Sequence, residues 1–285
     1  MSGRLQGAIA AAVTPLRDEG RSIDEPAIER LVGFLAAGGL EGALIGGTTG
    51  EGVLLHLDER RRLADRSLAA RPPGFAIAVH AGAQSTQDTV ALAAHARDAS
   101  ADAVAVIAPP YFPLDPDELF AHLLAAARAA RPLPFYVYEF AGRSGYAIPV
   151  PVIERLHDAA DNLAGLKVSD TPFDAVRPYL LEGLDLFIGS EPLVLEGLEA
   201  GAVGAVSGLA TAWPQIVASL VHDRSAEAGR RVAALRSGLT DIPFHAALKR
   251  VLVDAGVLGV PDVRPPLRGL TDGERVVLRD VVAHL

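Results

Sequence analysis

Lys167 is the residue of this chain whose type and position point most directly to chemistry. It lies inside the apolar run 163–168, where a charged ammonium group is costly to bury. Burial favours the neutral amine, and a neutral amine can attack a ketone to form a Schiff base that acts as an electron sink. An ion pair with a carboxylate such as that of Asp170 would explain its position equally well. Lysine is rare here: of the 26 basic residues, only Lys167 and Lys249 are lysines.

Lys249 has a different setting. It lies in a helical pattern over residues 244–255, next to Arg250. A lysine on a helix is usually solvated, so we expect Lys249 to be exposed and to have no chemical role.

Polar side chains that could work with Lys167 follow other apolar runs. The turn Thr48-Thr49-Gly50 offers hydroxyls and backbone N–H groups to an anion but lacks the spacing of a nucleotide-binding P-loop. A small carboxylate is its expected guest. Tyr111 and Tyr138 could relay a proton with a threonine hydroxyl, or could simply pack as aromatic rings. Arg143 could bind a second carboxylate through two hydrogen bonds, or could be a surface arginine.

The elements that must position these residues alternate along the chain. Short apolar runs are separated by longer stretches with helical spacing, as in parallel sheets that are covered on both faces. The runs are Gly7–Val13, Gly42–Gly47, Phe75–Ala81, Ala103–Ala108, Phe135–Tyr138, Ala164–Val168, Leu184–Ile188 and Val203–Ser207. Eight strand-then-helix units predict an α/β fold, the (β/α)8 TIM barrel, whose active site lies at the carboxyl ends of the strands.

Helical patterns fill the intervals and the tail. Between the runs they cover Asp24–Ala37, a stretch from Asp58, Ser85–Ala99, a stretch from Asp115, Pro149–Ala160, Pro172–Leu181, Pro192–Ala200 and Trp213–His222. The tail contains no strand-like run, and its helical patterns are Ala226–Leu239, Phe244–Ala255 and Thr271–Leu285. We therefore expect one domain: a barrel in residues 1–224 and a C-terminal helical extension, 225–285, packed on the barrel or on a neighbouring subunit.

Composition excludes several classes of protein. The 285 residues carry a formal net charge of −9 and no basic run, which argues against a nucleic-acid partner. Without cysteine the chain has no disulfide framework, cysteine nucleophile or Cys-ligated metal. The N-terminus lacks the pattern of a secretory signal, and the apolar run 8–13 is too short to cross a bilayer. We expect a cytoplasmic protein without a membrane partner.

Five motifs occur in an order that is specific to one superfamily. They are Gly47-Thr48-Thr49-Gly50-Glu51, Pro109-Pro110-Tyr111, Tyr138 with Arg143-Ser144-Gly145, Gly165-Leu166-Lys167 and Gly201-Ala202-Val203-Gly204-Ala205-Val206-Ser207. In these motifs the chain resembles the superfamily of dihydrodipicolinate synthase and N-acetylneuraminate lyase over nearly its whole length. The motifs are closest to those of the synthases.

The resemblance implies a class I lyase that forms a Schiff base with pyruvate or with a 2-keto acid that yields pyruvate. Lys167 matches the imine-forming lysine of the family, and Tyr138 matches its proton-shuttling tyrosine. Thr48 and Thr49 match the pair that holds the pyruvyl carboxylate and links the tyrosines. No metal or organic cofactor is implied, because the lysine itself supplies the electron sink.

The same resemblance implies an acceptor site and an oligomer. Arg143 matches the residue that grips the carboxylate of the aldehyde in the synthases, and Val206 falls where a backbone carbonyl faces the bound keto acid. Tyr111 matches a tyrosine that crosses a subunit interface to complete the neighbour's proton relay. We therefore expect a homo-oligomer built as a dimer of dimers.

Several positions depart from the family pattern. The synthases follow their tyrosine with Asn and then Pro, where this chain has Glu139 and Phe140. The carboxylate pair that binds sugar hydroxyls in the lyases is only half matched, by Glu191 followed by Pro192. His80, at the end of the third run, is unusual for the family, and we expect a hydrogen-bonded strand-end histidine. The pyruvate half of the site is intact, whereas the acceptor half is unfamiliar.

The predicted function is that of a synthase-like lyase, in which the enamine of pyruvate condenses with an aldehyde such as aspartate semialdehyde, or the reverse cleavage runs. One alternative is a 2-keto-3-deoxy sugar-acid aldolase or an N-acetylneuraminate lyase-like enzyme of the same family. Outside this chemistry, a non-catalytic ketoacid-binding sensor is a further alternative. A metal-dependent barrel aldolase is disfavoured, because no strand end carries a cluster of metal ligands.

Overall fold

The computed structural model describes residues 4–284 and contains a closed parallel barrel. The barrel strands, β1 to β8 in chain order, are Gly7–Ala11, Gly42–Ile45, Ala76–His80, Ala103–Ile107, Phe135–Glu139, Leu163–Val168, Asp185–Ile188 and Gly204–Ser207. Each strand pairs in parallel with the next, and β8 pairs with β1 to close the barrel. Each predicted apolar run overlaps one strand, so the predicted TIM barrel is confirmed.

Helices follow the strands and continue beyond the barrel. The α-helices of the described residues, α1 to α12 in chain order, are Glu25–Ala37, Leu57–Ala69, Thr86–Asp98, Pro116–Ala130, Ala141–Ser144, Val150–Ala159, Phe173–Val176, Val194–Glu199, Pro214–Asp223, Ala226–Gly238, Phe244–Asp254 and Asp272–Ala283. Residues 1–3 and Leu285, which belong to the predicted domain bounds and to the last predicted helix, lie outside the described residues.

A broken helix and a short hairpin are among the local features that differ from the prediction. The helix expected over 172–181 is only α7 followed by the 3-10 turn Arg177–Tyr179, because Pro178 has no N–H with which to continue α-helical bonding. An antiparallel hairpin, Leu16–Arg17 with Ser22–Ile23, follows β1. Its strands have two residues each, which is too short for a periodic pattern to reveal.

A glycine on β6 keeps the strand that carries Lys167 close to its neighbour. A Cβ atom at Gly165 would collide with the backbone carbonyl of Asp185 on β7. A larger residue at this position would push the two strands apart and displace Lys167, which lies two residues further along β6.

Buried apolar side chains form two clusters. The smaller one consists mostly of strand residues that face the barrel interior, among them Ile9, Tyr136, Phe187 and Val206. The larger one fills the layer between the strands and the surrounding helices. Neighbouring residues of a strand alternate between the two, as the two-residue period of strands requires.

The C-terminal helices pack into the larger cluster. Val232 of α10, Leu248 of α11 and Leu278 of α12 are all buried there. In addition, α10 contacts both α9 and α12. The extension therefore lies against the barrel of its own chain. Within residues 4–284, no helix combines the length and the apolar character that crossing a bilayer requires.

Candidate active site

Lys167 and Tyr138 lie side by side near the carboxyl ends of adjacent strands. Lys167 on β6 is paired in register with Tyr138 on β5, and its Nζ atom is 3.9 Å from the centroid of the tyrosine ring. Both side chains are buried, with exposed fractions of 7% and 2%. The ion pairs of residues 4–284 do not include Lys167, so the alternative of a pair with Asp170 is not realised. A buried amine without a carboxylate partner is suited to act as a nucleophile.

Gly189, directly after β7, leaves room for the lysine side chain. A Cβ atom at this position would lie 3.0 Å from Lys167 Cε and would collide with Ser169 Oγ. Even an alanine at position 189 would therefore crowd the side chain of Lys167. The end of β7 thus fixes the path of the Lys167 side chain.

The predicted anion-binding turn reaches the same place. Thr48 Oγ1 is 3.2 Å from the Tyr138 hydroxyl, and either oxygen can donate to the other. Thr14 Oγ1 donates to the carbonyl of Gly50 over 2.5 Å, which anchors the turn to the loop after β1. We call Lys167, Tyr138 and the turn 48–50 the lysine centre.

Lys249, expected at the surface, is instead fully buried. Its Nζ atom is 2.5 Å from Glu51 Oε1, and it donates to the carbonyl of Asp262 over 2.6 Å. Burial lowers the pKa of Lys249, and the Glu51 carboxylate opposes that shift. The prediction is wrong because helical spacing does not reveal what covers a helix: the segment before α12 lies over α11, and Arg264 N donates to Glu51 Oε2 over 2.6 Å. Glu51 follows the turn directly, so this pair fastens the turn to the C-terminal extension.

Arg143 lies outside the lysine centre, on the short helix α5. Its side chain is exposed, and the guanidinium carbon is 5.6 Å from the centroid of the Phe140 ring. It is therefore available to an anion from solvent. We call the segment 140–148, which follows β5 and contains α5, the outer rim.

Val206 and Tyr111 have opposite surroundings. Val206 on β8 is buried in the cluster inside the barrel. Tyr111 is 83% exposed, and its ring packs edge-on against Phe112 with 4.9 Å between centroids. A single chain does not bring Tyr111 into the lysine centre, so its role across a subunit interface stays a prediction.

His80, at the end of β3, is held by the backbone around it. Its Nδ1 atom lies 3.2 Å from the carbonyl of Gly46, and its Nε2 atom accepts from Ile107 N over 3.4 Å. The Gly46 carbonyl and the Ile107 N–H favour the tautomer with its proton on Nδ1, whereas Arg60 Nη2, which can only donate, lies 3.4 Å from the same atom. Burial, assisted by the charge of Arg60, lowers the pKa of His80 to about 3. The neutral ring therefore links Gly46, which follows β2, to Ile107, the last residue of β4. This is the hydrogen-bonded strand-end histidine that the sequence predicts.

The donor groups of the lysine centre suit an organic anion. They are an amine, a phenol, threonine hydroxyls and backbone N–H groups of the turn. Within residues 4–284, no three histidine, aspartate or glutamate side chains are grouped so that they could hold a metal ion.

Comparison with known families shows where the chain belongs. The model of the dihydrodipicolinate synthetase family matches residues 4–285. The chain belongs to the dihydrodipicolinate synthetase family. The resemblance found in the sequence motifs is thereby confirmed, and family members are lyases of the synthase and aldolase type.

Relatives in this family have more than one activity. The chain is 32% identical to an uncharacterized DapA-like lyase of Halobacterium salinarum, over 99% of this chain and 94% of the relative. It is 31% identical to a 4-hydroxy-tetrahydrodipicolinate synthase of Thermus thermophilus, over 84% and 78% of the two chains. The solved structure of an N-acetylneuraminate lyase from Proteus mirabilis has 29% identity and a TM-score of 0.87, covering 99% and 97%. Similarity alone does not separate the synthase branch from the lyase branch.

This member of the dihydrodipicolinate synthetase family has a buried acid directly after the strand tyrosine. Glu139 is fully buried, and its Oε2 atom accepts from Ile148 N over 2.8 Å. Burial raises the pKa of Glu139 to about 8; the Ile148 N–H opposes the shift and the Asp170 carboxyl adds to it. The sequence reveals Glu139 as a departure from the family pattern but assigns it no role.

The C-terminal extension contributes residues that sequence reasoning missed. His245 Nε2, on α11, lies 3.1 Å from the carbonyl of Thr48. The ring of Phe244 packs at the end of β8, where a Cβ on Gly208 would lie 3.1 Å from Phe244 and 3.3 Å from Thr49 Oγ1. The sequence contains one signal for Phe244 and His245: an aromatic residue and a histidine stand together in the first turn of a C-terminal helix.

Glu191, which matches one member of the carboxylate pair of the lyases, contacts other groups of its own chain. It is buried, and its Oε1 atom accepts from Ser207 Oγ over 2.9 Å and from Leu209 N over 3.2 Å. Its Oε2 atom is 4.0 Å from Arg236 Nε. The carboxylate thus braces the end of β8 instead of facing solvent freely.

Proposed function

We propose that this family member is a class I lyase that forms a Schiff base between Lys167 and pyruvate, or a 2-keto acid that yields pyruvate. The observation that carries the proposal is the lysine centre. A buried amine without a carboxylate partner lies 3.9 Å from the ring of Tyr138, whose hydroxyl is 3.2 Å from Thr48 Oγ1. This arrangement supplies a nucleophile and a proton relay in one place.

The chemistry begins with attack of the Lys167 amine on C2 of pyruvate. Tyr138, hydrogen-bonded to Thr48, donates a proton to the departing hydroxyl, so that water leaves and a protonated imine remains. Loss of a proton from C3 then gives an enamine, and the imine nitrogen takes up the electron pair. The C3 carbon forms a bond to the carbonyl carbon of an aldehyde, whose oxygen accepts a proton. Water finally hydrolyses the imine and restores Lys167, and the reverse sequence cleaves the same bond.

The turn 48–50 is proposed to hold the carboxylate of pyruvate. Backbone N–H groups at Thr49 and Gly50, together with the threonine hydroxyls, can surround an anion without a metal ion. The carbonyl of Val206 faces the bound keto acid in this proposal. The buried pair of Glu51 and Lys249 keeps the turn in place beneath it.

The acceptor is proposed to be an aldehyde with its own carboxylate, such as aspartate semialdehyde, because Arg143 is exposed on the outer rim. A 2-keto-3-deoxy sugar-acid aldolase is the second candidate, supported by the similarity to an N-acetylneuraminate lyase. The contacts of Glu191 favour the first candidate, since both of its oxygen atoms already face groups of this chain.

The active assembly is proposed to be a cytoplasmic homo-oligomer, a dimer of dimers. Tyr111 supports this, because a tyrosine that is 83% exposed beside an exposed Phe112 is suited to bury itself against a second copy. In the assembly Tyr111 would bond to the neighbour's relay of Tyr138 and Thr48.

Borohydride reduction in the presence of pyruvate tests the Schiff base. We expect a reduced pyruvyl adduct, and the two lysines make its location simple to assign by peptide mapping. Lys167 should carry the adduct and buried Lys249 should not, which makes Lys249 an internal control. Absence of an adduct on Lys167 would contradict the proposed function.

A panel of substrates tests the acceptor. Pyruvate is offered with aspartate semialdehyde and other aldehydes, and keto-deoxy sugar acids are offered for cleavage. Product from aspartate semialdehyde supports the first candidate, whereas cleavage of a sugar acid alone supports the second. An adduct on Lys167 without turnover of any compound would favour a ketoacid-binding sensor, and loss of activity with EDTA would favour a metal-dependent aldolase.

A further inference from the structure

The helix α11 presents two polar side chains to the turn 48–50. His245 and Lys249 are four residues apart, so they lie on the same face of this helix. His245 Nε2 is 3.1 Å from the carbonyl oxygen of Thr48, and Lys249 Nζ is 2.5 Å from Glu51 Oε1. One helix of the C-terminal extension therefore contacts both the first residue of the turn and the residue that follows it.

The carbonyl of Thr48 accepts two hydrogen bonds. One comes from Glu51 N over 3.1 Å within the turn, and the other comes from His245. A carbonyl oxygen can only accept, so the second bond requires that His245 Nε2 carry a proton. The neutral ring in this tautomer and the protonated ring both meet that requirement. The carbonyl is thus held from inside the turn and from the C-terminal extension.

Fixing this carbonyl also fixes the N–H group of Thr49. The two groups belong to one trans peptide unit, in which they point in opposite directions. Since the oxygen faces α11, the Thr49 N–H points away from that helix. A hydrogen bond to the oxygen also polarises the peptide unit and strengthens its N–H as a donor. The backbone hydrogen bonds of residues 4–284 do not include the N–H groups of Thr49 and Gly50, so both are available to an anion.

Contacts other than that of His245 keep the turn at the mouth of the barrel. Thr14 Oγ1 donates to the carbonyl of Gly50 over 2.5 Å. The carboxylate of Glu51 is paired with Lys249. Loss of the His245 bond should therefore let the peptide unit rotate without removing the turn from the site.

We propose that His245 is a positioning residue for the keto acid: through the Thr48 carbonyl it holds the Thr49 N–H in the orientation that binds the pyruvate carboxylate. This inference rests on the proposed function, because that function places the carboxylate at the turn. His245 does not contact the substrate in this role, and strand register holds Lys167 and Tyr138 without it. The C-terminal extension thereby takes part in binding the first substrate.

The experiment measures the rate of borohydride trapping over a series of pyruvate concentrations. His245→Leu removes the N–H donor, whereas the side-chain amide of His245→Gln replaces it. The pyruvate concentration for half-maximal trapping on Lys167 should rise about 3- to 10-fold in His245→Leu, the value of one hydrogen bond. In His245→Gln it should stay within about twofold of the wild type. His157→Leu, which removes an exposed histidine on α6, is the matched control and should follow the wild type.

A role of His245 in stability alone would give a different pattern. It would lower the maximal trapping rate through loss of folded protein and leave the half-maximal pyruvate concentration unchanged. That pattern, or an equal rise in His245→Leu and His245→Gln, would overturn the positioning role and leave the Schiff base standing. Absence of an adduct on Lys167 in the wild type would overturn the proposed function, and this role with it.

A second variant covers the case in which His245→Leu does not fold. His245→Phe keeps an aromatic ring at this position but lacks the N–H donor. It should show the same rise in the half-maximal pyruvate concentration, again with trapping on Lys167 at saturation. A half-maximal concentration equal to that of the wild type would refute the positioning role.

Discussion

The lysine centre and the outer rim are adjacent in the site but are held by different parts of the fold. Lys167 and Tyr138 are buried and locked in register on neighbouring barrel strands. Arg143 is exposed on a four-residue helix within a loop. Strands inside a barrel cannot shift singly, whereas a loop can change with little cost to the core. In the proposed function, the barrel thus fixes the bond-forming groups and leaves recognition of the second substrate to a segment that can vary.

Replacing the lysine at the centre should have the largest effect. Lys167→Arg keeps a positive charge but removes the attacking amine, because guanidinium is not deprotonated in proteins. We expect turnover to fall by at least about 1,000-fold and the borohydride adduct to vanish. Circular dichroism of the variant should remain that of the wild type. Substantial turnover with a folded variant would show that the amine is not the nucleophile.

The second-largest effect is expected from breaking the buried ion pair of Lys249 and Glu51 beneath the turn 48–50. Lys249→Met leaves Glu51 as an uncompensated buried charge, and we expect a loss of about 3–5 kcal/mol in the free energy of unfolding. Adding Glu51→Gln removes that charge and should restore part of the loss. Denaturant unfolding measures both variants. A change of under about 1 kcal/mol in Lys249→Met would mean that the extension does not stabilise the lysine centre.

Replacing Arg143 on the outer rim should have a smaller effect on activity, and one that is selective for the acceptor. Arg143→Ala should lower kcat/KM for aspartate semialdehyde by about 10- to 100-fold, the value of one or two charge-assisted hydrogen bonds. The yield of the pyruvate adduct should not change. Arg155→Ala, which removes an exposed arginine on α6, is a suitable control. A matching fall in pyruvate binding would contradict the division of the site into two parts.

The smallest expected effect is on stability against pH. The pKa of Glu139 is raised in the folded state to about 8, so the folded protein keeps a proton that the unfolded chain has already lost. Stability from this group therefore declines as the pH rises through about 8. Between about pH 7 and about pH 9 the wild type should lose about 1 kcal/mol of unfolding free energy relative to Glu139→Gln. Parallel stability curves for the two proteins would show that Glu139 is already ionised at neutral pH.

The sequence predicts the barrel and the lysine centre well for a physical reason. Strands that are buried on both faces must be nearly continuous apolar runs, so a lysine within such a run is conspicuous. Residues that end successive strands meet at one rim of the barrel, which brings Thr48, Tyr138 and Lys167 together without knowledge of any loop.

The rest depends on contacts between distant segments, which local patterns do not record. Lys249 has the spacing of an exposed helix residue, but the segment of Asp262 and Arg264 covers it. The pKa of Glu139 is raised by burial and further by Asp170, which is 31 positions further along the chain but close in space through strand pairing. The proposed role of Tyr111 requires the surface of a second chain, which a single sequence and a single chain do not contain.

The burial of both lysines gives the protein an unusual response to amine-selective reagents. Lys249 has no exposed surface, whereas Lys167 retains 7% at the mouth of the barrel. A small acylating reagent therefore meets one reachable lysine side chain, and that side chain is the proposed nucleophile. Labelling of Lys167 and its protection by pyruvate would report occupancy of the site directly, in a chain where lysine modification elsewhere gives no background.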